Sequence, residues 1–296
     1  MTNYTTADLL KWCAVPAADL VDHPERRIPL RVVEDSATMG AIMAEELVEL
    51  IVEAQREDRT LRAIIPCGPM AWVAPFTRIV NERGVSLHNL EVFHMDECLD
   101  WQGRELPLSN PYNFRGTMQR EFYDPIREEL AVPMPNRHWL NPETYVDLAA
   151  QLVAEPADIV YGGWGQDGHV AYNQARRNAY SPVTIDDYAE AVARIQDNNP
   201  DTVIALSQRT LGGAYQLVPP MSVTLGMKEI FAAKRVRLYS DTGSWKQTAL
   251  RVALFSEPTP DYPMTLLQRH PDALLTATVA TAEHPVSQHP EWDFGL

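Results

Sequence analysis

One feature limits the fold more than any other: short apolar runs alternate with stretches of helical periodicity. The runs LRVVE, LRAII, LEVFH, ADIVY, RVRLY and ALLTATVA are each too brief for a buried helix. After the first of them, Met39, Ile42, Met43, Leu47, Leu50, Ile51 and Ala54 recur on one helical face, and Glu45, Glu46, Glu49 and Glu53 fall mostly opposite. Asp35 or Ser36 is placed to cap that helix. VTLGMKEIFAA and SWKQTALRVALF read as two further helices. Strands alternating with helices predict an α/β fold, a single-domain, Rossmann-like and mostly parallel sheet flanked by helices. No Gly/Ser linker divides the chain. The expected organisation is an N-terminal arm over 1–28, helical around Thr6 to Ala14, a main domain over 29–280, and a surface tail over 281–296.

The bulk charge narrows the partners. With 25 basic and 40 acidic side chains the net charge is −15, a surface that repels nucleic acid and anionic membrane. A few basic residues gathered in one cleft can still hold a small anion. The longest apolar runs fall far short of the roughly 18–20 residues that span a bilayer. The start, MTNYTTADLLKWC, lacks the basic and apolar regions of a signal peptide. Cys13, Cys67 and Cys98 are an odd number without metal-ligand spacing, which suits a reducing, cytoplasmic setting.

Ligands of open parallel sheets bind beyond the carboxyl ends of the strands. Three polar segments fall there: PCGPM after Ile65, HMDE after Phe93, and GGWGQDGH after Tyr161. Glycines such as Gly68, Gly163 and Gly165 let the backbone turn tightly and come close to a ligand. Asp167 and His169 read either as an acid that orients a proton-moving imidazole or as a turn cap beside a surface histidine. Asp96 and Glu97 read either as cleft acids, one of them a base on a carbon acid, or as caps of the next helix. His94 and Asp96 share one side of a strand, but no third or fourth metal ligand accompanies them, so no metal is expected. Arg209 and Lys246 are the basic candidates, Lys246 in the first turn of a helix whose dipole favours an anion.

Taken in order, these segments resemble the glucosamine-6-phosphate deaminase/isomerase family, whose fold includes the 6-phosphogluconolactonases. FHMDECLD is similar to that family's F-N-M-D-E, NPYNFRGTM to H-P-x-S-Y-x-x-x-M, and GGWGQDGHVAYNQ to G-G-x-G-x-D-G-H-I-A-F-N-E. VPPMSVTLGM and LLQRHPDALL match two later stretches, so the likeness runs from Pro29 to Ala280. The resemblance implies a base at Asp96 that moves a proton between C1 and C2 of an open-chain sugar. It implies ring opening by Asp167 and His169, with Gln174 completing the catalytic set. Phosphate contacts fall to Arg209 and Lys246, and further substrate contacts to Gly68, Glu97, Gly163 and Gly165. It implies a small-molecule sugar phosphate as partner and no metal or organic cofactor. Family members often form oligomers, so a homo-oligomer is allowed, the arm either making or blocking its interface.

The chain departs from that pattern in places. Gln174 stands where the family has a glutamate; its amide can hydrogen-bond His169 but cannot stabilise an imidazolium by charge. Pro69 in PCGPM removes an N–H donor from the loop that reads P-T-G-G-T-P in the family, and His94 replaces an asparagine. The expected activity is deamination of an amino sugar phosphate. An aldose–ketose isomerase of a related sugar and a largely non-catalytic sugar-phosphate-binding protein are the alternatives. A lactonase fits less well, because DGHVAYNQA lacks the S-L-F-P that follows the same glycines in that branch.

Overall fold

A computed structural model describes residues 4–178 and 180–295. The arm begins with α1 (Thr6–Cys13), started by a reciprocal pair of bonds in which each of Thr5 and Asp8 donates its backbone N–H to the other's side chain. β1 (Leu30–Val33) leads into α2 (Ser36–Arg56), whose Thr38 N–H is capped by the Asp35 carboxylate at 2.8 Å. β2 (Leu61–Ile65), α3 (Val73–Arg83) and β3 (Leu90–His94) follow, then β4 (Asp96–Leu99), α4 (Phe114–Met118), β5 (Arg137–His138), α5 (Tyr145–Ala154) and β6 (Ile159–Gly162). The second half holds α6 (Ile185–Ala189), β7 (Arg194–Asp197), α7 (Pro200–Thr210), β8 (Met221–Thr224) and α8 (Met227–Ala232). It ends with β9 (Val236–Ser240), α9 (Gln247–Phe255), β10 (Ala273–Thr278), α10 (Val279–Ala282) and α11 (Pro285–Gln288).

Among the described residues seven strands form one parallel sheet, in the order β1–β10–β9–β6–β2–β3–β5. Successive strand residues point to opposite faces, and both faces are covered, which is why these strands read as unbroken apolar runs. Ile64, Phe93 and Val160 turn towards Leu152, Ile230, Leu250 and Leu254. Ile65, Val92 and Ile159 turn the other way, towards Met43, Leu47, Ile51, Phe76 and Phe122. Leu20 and Ile28 of the arm are fully buried in the first of these cores, so the arm completes it.

The sequence reading needs correction at VTLGMKEIFAA. Its first part is not helical: Val223 and Thr224 lie in β8, which pairs antiparallel with β4 on one side and β7 on the other. Only from Met227 does the chain turn into a helix, with the Glu229 carboxylate accepting the Gly226 N–H at 2.6 Å. β-Branched residues held between two partner strands prefer extended backbone, and that pairing outweighs the helical periodicity. The resulting three-stranded sheet changes what Asp96 is. The chain leaves the large sheet at Met95, whose N–H donates to Ile65 O and whose carbonyl accepts from Leu225 N–H. Asp96 therefore stands at the seam between two sheets. At the other end, Thr281 and Ala282 are buried in α10, so the surface tail begins beyond them.

Candidate active site

The carboxyl ends of β9, β6, β2 and β3 lie side by side, and a cavity of about 340 Å³ opens above them. The sheet changes direction of growth between β6 and β2, which is where ligands of such sheets bind. β2 delivers Cys67, Gly68 and Pro69, the β3–β4 seam delivers Asp96, and β6 delivers Gly163, Gly165 and His169. Asp241 and Lys246 come from the end of β9, and Thr202, Leu206 and Arg209 hang in from α7.

The turn after β6 is built around one histidine. A side chain at Gly165 would overlap the His169 imidazole, so only glycine leaves room for the ring. Gly168 has φ +70°, a backbone that side-chain-bearing residues seldom adopt, and its N–H closes the turn on Gly165 O at 3.0 Å. Asp167 lies behind the ring, 1 % exposed, with one carboxylate oxygen 2.6 Å from His169 Nδ1 and the other accepting the Ala175 N–H at 3.0 Å. Burial alone would raise this carboxyl, but the adjacent imidazole and the bonds it accepts outweigh that and hold it well below the usual range. An ionised Asp167 can only accept, so Nδ1 carries the proton and Nε2 is left as the proton-accepting nitrogen. Of the two sequence readings, the oriented pair is the one the geometry matches.

Asp96 carries no hydrogen bond from its side chain among the described residues. Burial first, and the neighbouring Glu97 second, raise it to about 8. A carboxyl poised near neutral pH is suited to take up and return a proton. Glu97 is a different matter. The resemblance assigns it to the substrate, yet it does not line this cavity and accepts the N–H groups of Cys98, Phe114 and Arg115 at 2.8–2.9 Å. The first N–H groups of α4 have no acceptor within the helix, and Glu97 serves two of them, those of Phe114 and Arg115. It is a cap, as the alternative sequence reading has it.

Gln174 also departs from its expected place. It is 3 % exposed, does not line the cavity, and makes no bond to His169. Its Nε2 donates to Asp197 O at 3.1 Å and its Oε1 accepts the Asn199 N–H at 2.6 Å. The side chain thereby ties the turn after β6 to β7 and the start of α7. His94 belongs to the core: its ring stacks on Trp139 at 3.9 Å and meets Tyr123 Oη at 3.0 Å, and burial lowers it to about 3, which keeps it neutral. No cluster of potential metal ligands occurs among the described residues.

Both basic candidates, Arg209 and Lys246, line the cavity. Lys246 directly precedes α9 rather than lying within its first turn, and burial followed by the nearby Arg209 lowers its ammonium to about 8. Arg209 rides on α7, and the helix is fastened across the cavity mouth at both ends. At one end Gln166 donates to Asp201 O and Arg177 pairs with the Asp201 carboxylate at 3.1 Å. At the other, Tyr112 and Thr210 share a hydroxyl bond of 2.6 Å.

Sequence reasoning missed several lining residues, among them Tyr112, Tyr172, Thr210 and Asp241. The Tyr172 ring lies parallel to that of His169, 6.2 Å away, and its hydroxyl meets Cys98 Sγ at 3.1 Å. Asp241 follows directly on the run RVRLYS, so the strand-end rule that found Asp96 reaches it as well.

No family model matches the chain. A glucosamine-6-phosphate deaminase of Beutenbergia cavernae is 28 % identical over 261 residues, covering 85 % of this chain and 90 % of its own. One from Parabacteroides distasonis is 29 % identical over 205 residues, covering 68 % and 70 %. The chain is a divergent relative of the glucosamine-6-phosphate deaminases. Their fold is shared too. The solved structure of a monomeric glucosamine-6-phosphate deaminase superposes with a TM-score of 0.71 at 17 % identity, covering 86 % of this chain and 98 % of that one. The 6-phosphogluconolactonase of Trypanosoma cruzi follows at 0.61 and 18 %, covering 86 % and 96 %.

Proposed function

We propose that the protein deaminates an amino sugar phosphate by moving a proton between C1 and C2 of the open-chain sugar. Glucosamine 6-phosphate, giving fructose 6-phosphate and ammonia, is the reference case. One observation carries the reading: an oriented His169–Asp167 pair, a raised Asp96 carboxyl and two cations, Arg209 and Lys246, face a single cavity of about 340 Å³. That volume suits a hexose phosphate. The descent from deaminase relatives supports the same chemistry.

In this account Arg209 and Lys246 hold the phosphate, and His169 Nε2 takes the proton of the anomeric hydroxyl and returns it to the ring oxygen, opening the ring. Asp96 as carboxylate removes the C2 proton while O1 takes up one from solvent, giving the enolamine, and then returns its proton to C1 as the nitrogen lone pair forms the C2 iminium. Water adds to that iminium and ammonia leaves, so the sum is amino sugar phosphate plus water to ketose phosphate plus ammonia. Asp167 keeps the imidazole in the tautomer this needs. Cys67, also in the wall, stays a thiol, since burial and the adjacent Asp96 push it far up. Three free cysteines support work in a reducing compartment such as the cytoplasm.

The test is ammonia release from a panel of 2-amino-2-deoxyhexose 6-phosphates and their unphosphorylated counterparts near neutral pH. Release is expected from at least one phosphorylated member, with kcat/KM roughly 10-fold or more below it for the free sugar, because charge-assisted contacts are lost. Silence across the panel, with thermal stabilisation by fructose 6-phosphate, would replace the enzyme by a binding protein.

A further inference from the structure

Three charged groups share the anion end of the cavity, and one of them has the wrong sign for a simple phosphate site. Arg209 and Lys246 are cations; Asp241, at the end of β9, lines the cavity beside them and acts on the charge of Lys246. Among the described residues none of the three has an oppositely charged partner within 4.0 Å. Asp241 is held in place by the Ser36 hydroxyl, which donates to one carboxylate oxygen at 2.6 Å. Its other oxygen has no hydrogen-bond partner among the described residues and remains an acceptor. Across the same cavity Pro69 supplies no N–H. The site thus offers one donor fewer and one charged acceptor more than an all-donor phosphate cradle.

A phosphate ester carries two charges above its second pKa of about 6, and one charge and one O–H below it. A carboxylate repels the first form and accepts a hydrogen bond from the second. We propose that Asp241 is a specificity-determining residue that makes this site take the phosphate of its sugar as the singly charged, protonated ester, with Asp241 accepting the P–OH hydrogen bond while Arg209 and Lys246 hold the remaining oxygens. The proposal rests on the sugar-phosphate reading of the cavity and narrows it to one ionic form.

Equilibrium binding of fructose 6-phosphate by calorimetry, from pH 5.5 to 7.5, compares the native protein with Asp241→Asn. The Asn amide oxygen can still accept from Ser36, so the fold is expected to persist, and a thermal melt checks it. Native affinity should fall roughly 20-fold across that range, following the protonated ester. The variant should lose most of that slope and bind more tightly than the native protein at pH 7.5. Asp241 meets Ser36 at the start of α2 and acts on Lys246 ahead of α9, which Arg209 of α7 also influences, and burial brings Lys246 down to about 8, near this range. If Asp241 were only a counter-ion that keeps Lys246 charged, Asp241→Asn would bind more weakly at pH 7.5, the opposite sign, and that result overturns the proposal. So does an equally steep fall in both proteins. Should Asp241→Asn fail the melt, Ser36→Ala, which frees the second carboxylate oxygen, must keep the native slope; a flat profile there overturns the proposal too. Absence of binding in every protein at every pH overturns it together with the sugar-phosphate reading, whereas ammonia release in the panel with the wrong slope removes the proposal alone.

Discussion

At Gln174 the difference between a sequence position and a side chain's duties becomes concrete. The amide, itself buried, donates to the backbone carbonyl of Asp197 and accepts from the backbone N–H of Asn199. A carboxylate can keep the second bond but has no hydrogen for the first, and it would face Asp197 O lone pair to lone pair. Restoring the family's glutamate by Gln174→Glu should therefore cost about 1–3 kcal/mol of stability, measured by urea unfolding, and should not raise turnover. A faster, equally stable variant would mean that the side chain swings towards His169 during the reaction. Residue-scale legibility followed chemistry. The pairing of Asp167 with His169 could be read because two residues of spacing and surrounding glycines leave few arrangements. The duty of Gln174 could not, nor the choice between the two readings of Glu97, because their partners are backbone groups set by the tertiary path.

On the scale of elements, the strand ends located the site. Four neighbouring strands deliver its polar residues, and three of the four segments were visible as polar punctuation after apolar runs. The small antiparallel sheet was not visible, since β7 reads RIQD and β8 is embedded in a helix-like pattern. Helix α7 is the other element whose role emerges only in space. Its side chains on the core side are few, Thr202 and Ser207 being the buried ones, and polar fastenings at its two ends hold it over the cavity. Tyr112→Phe removes the fastening next to Arg209. Loss of one hydrogen bond of this kind should raise KM for the sugar phosphate about 2- to 10-fold and leave kcat nearly unchanged. A fall in kcat with KM constant would place Tyr112 in the chemical step instead.

Over the whole molecule, a chain of strongly acidic composition gathers two cations, Arg209 and Lys246, into one cavity, a local charge contrast that composition alone averages away. The large parallel sheet was legible because strands buried on both faces must be apolar throughout; the integration of the arm was less so, since Leu20 and Ile28 look unremarkable until α9 lies over them. The central claim is that this architecture brings Asp96 to a sugar carbon as a base. The most direct measurement is deuterium uptake at C1 of fructose 6-phosphate, followed by NMR in D2O with ammonium present and the sugar saturating, for the native protein and Asp96→Asn. Native exchange should appear and quicken as pH rises towards about 8, because only the carboxylate can take a proton. Asp96→Asn should exchange about 100-fold more slowly or worse while still binding the sugar phosphate. Equal exchange in the two proteins, or none in the native one, would contradict the account.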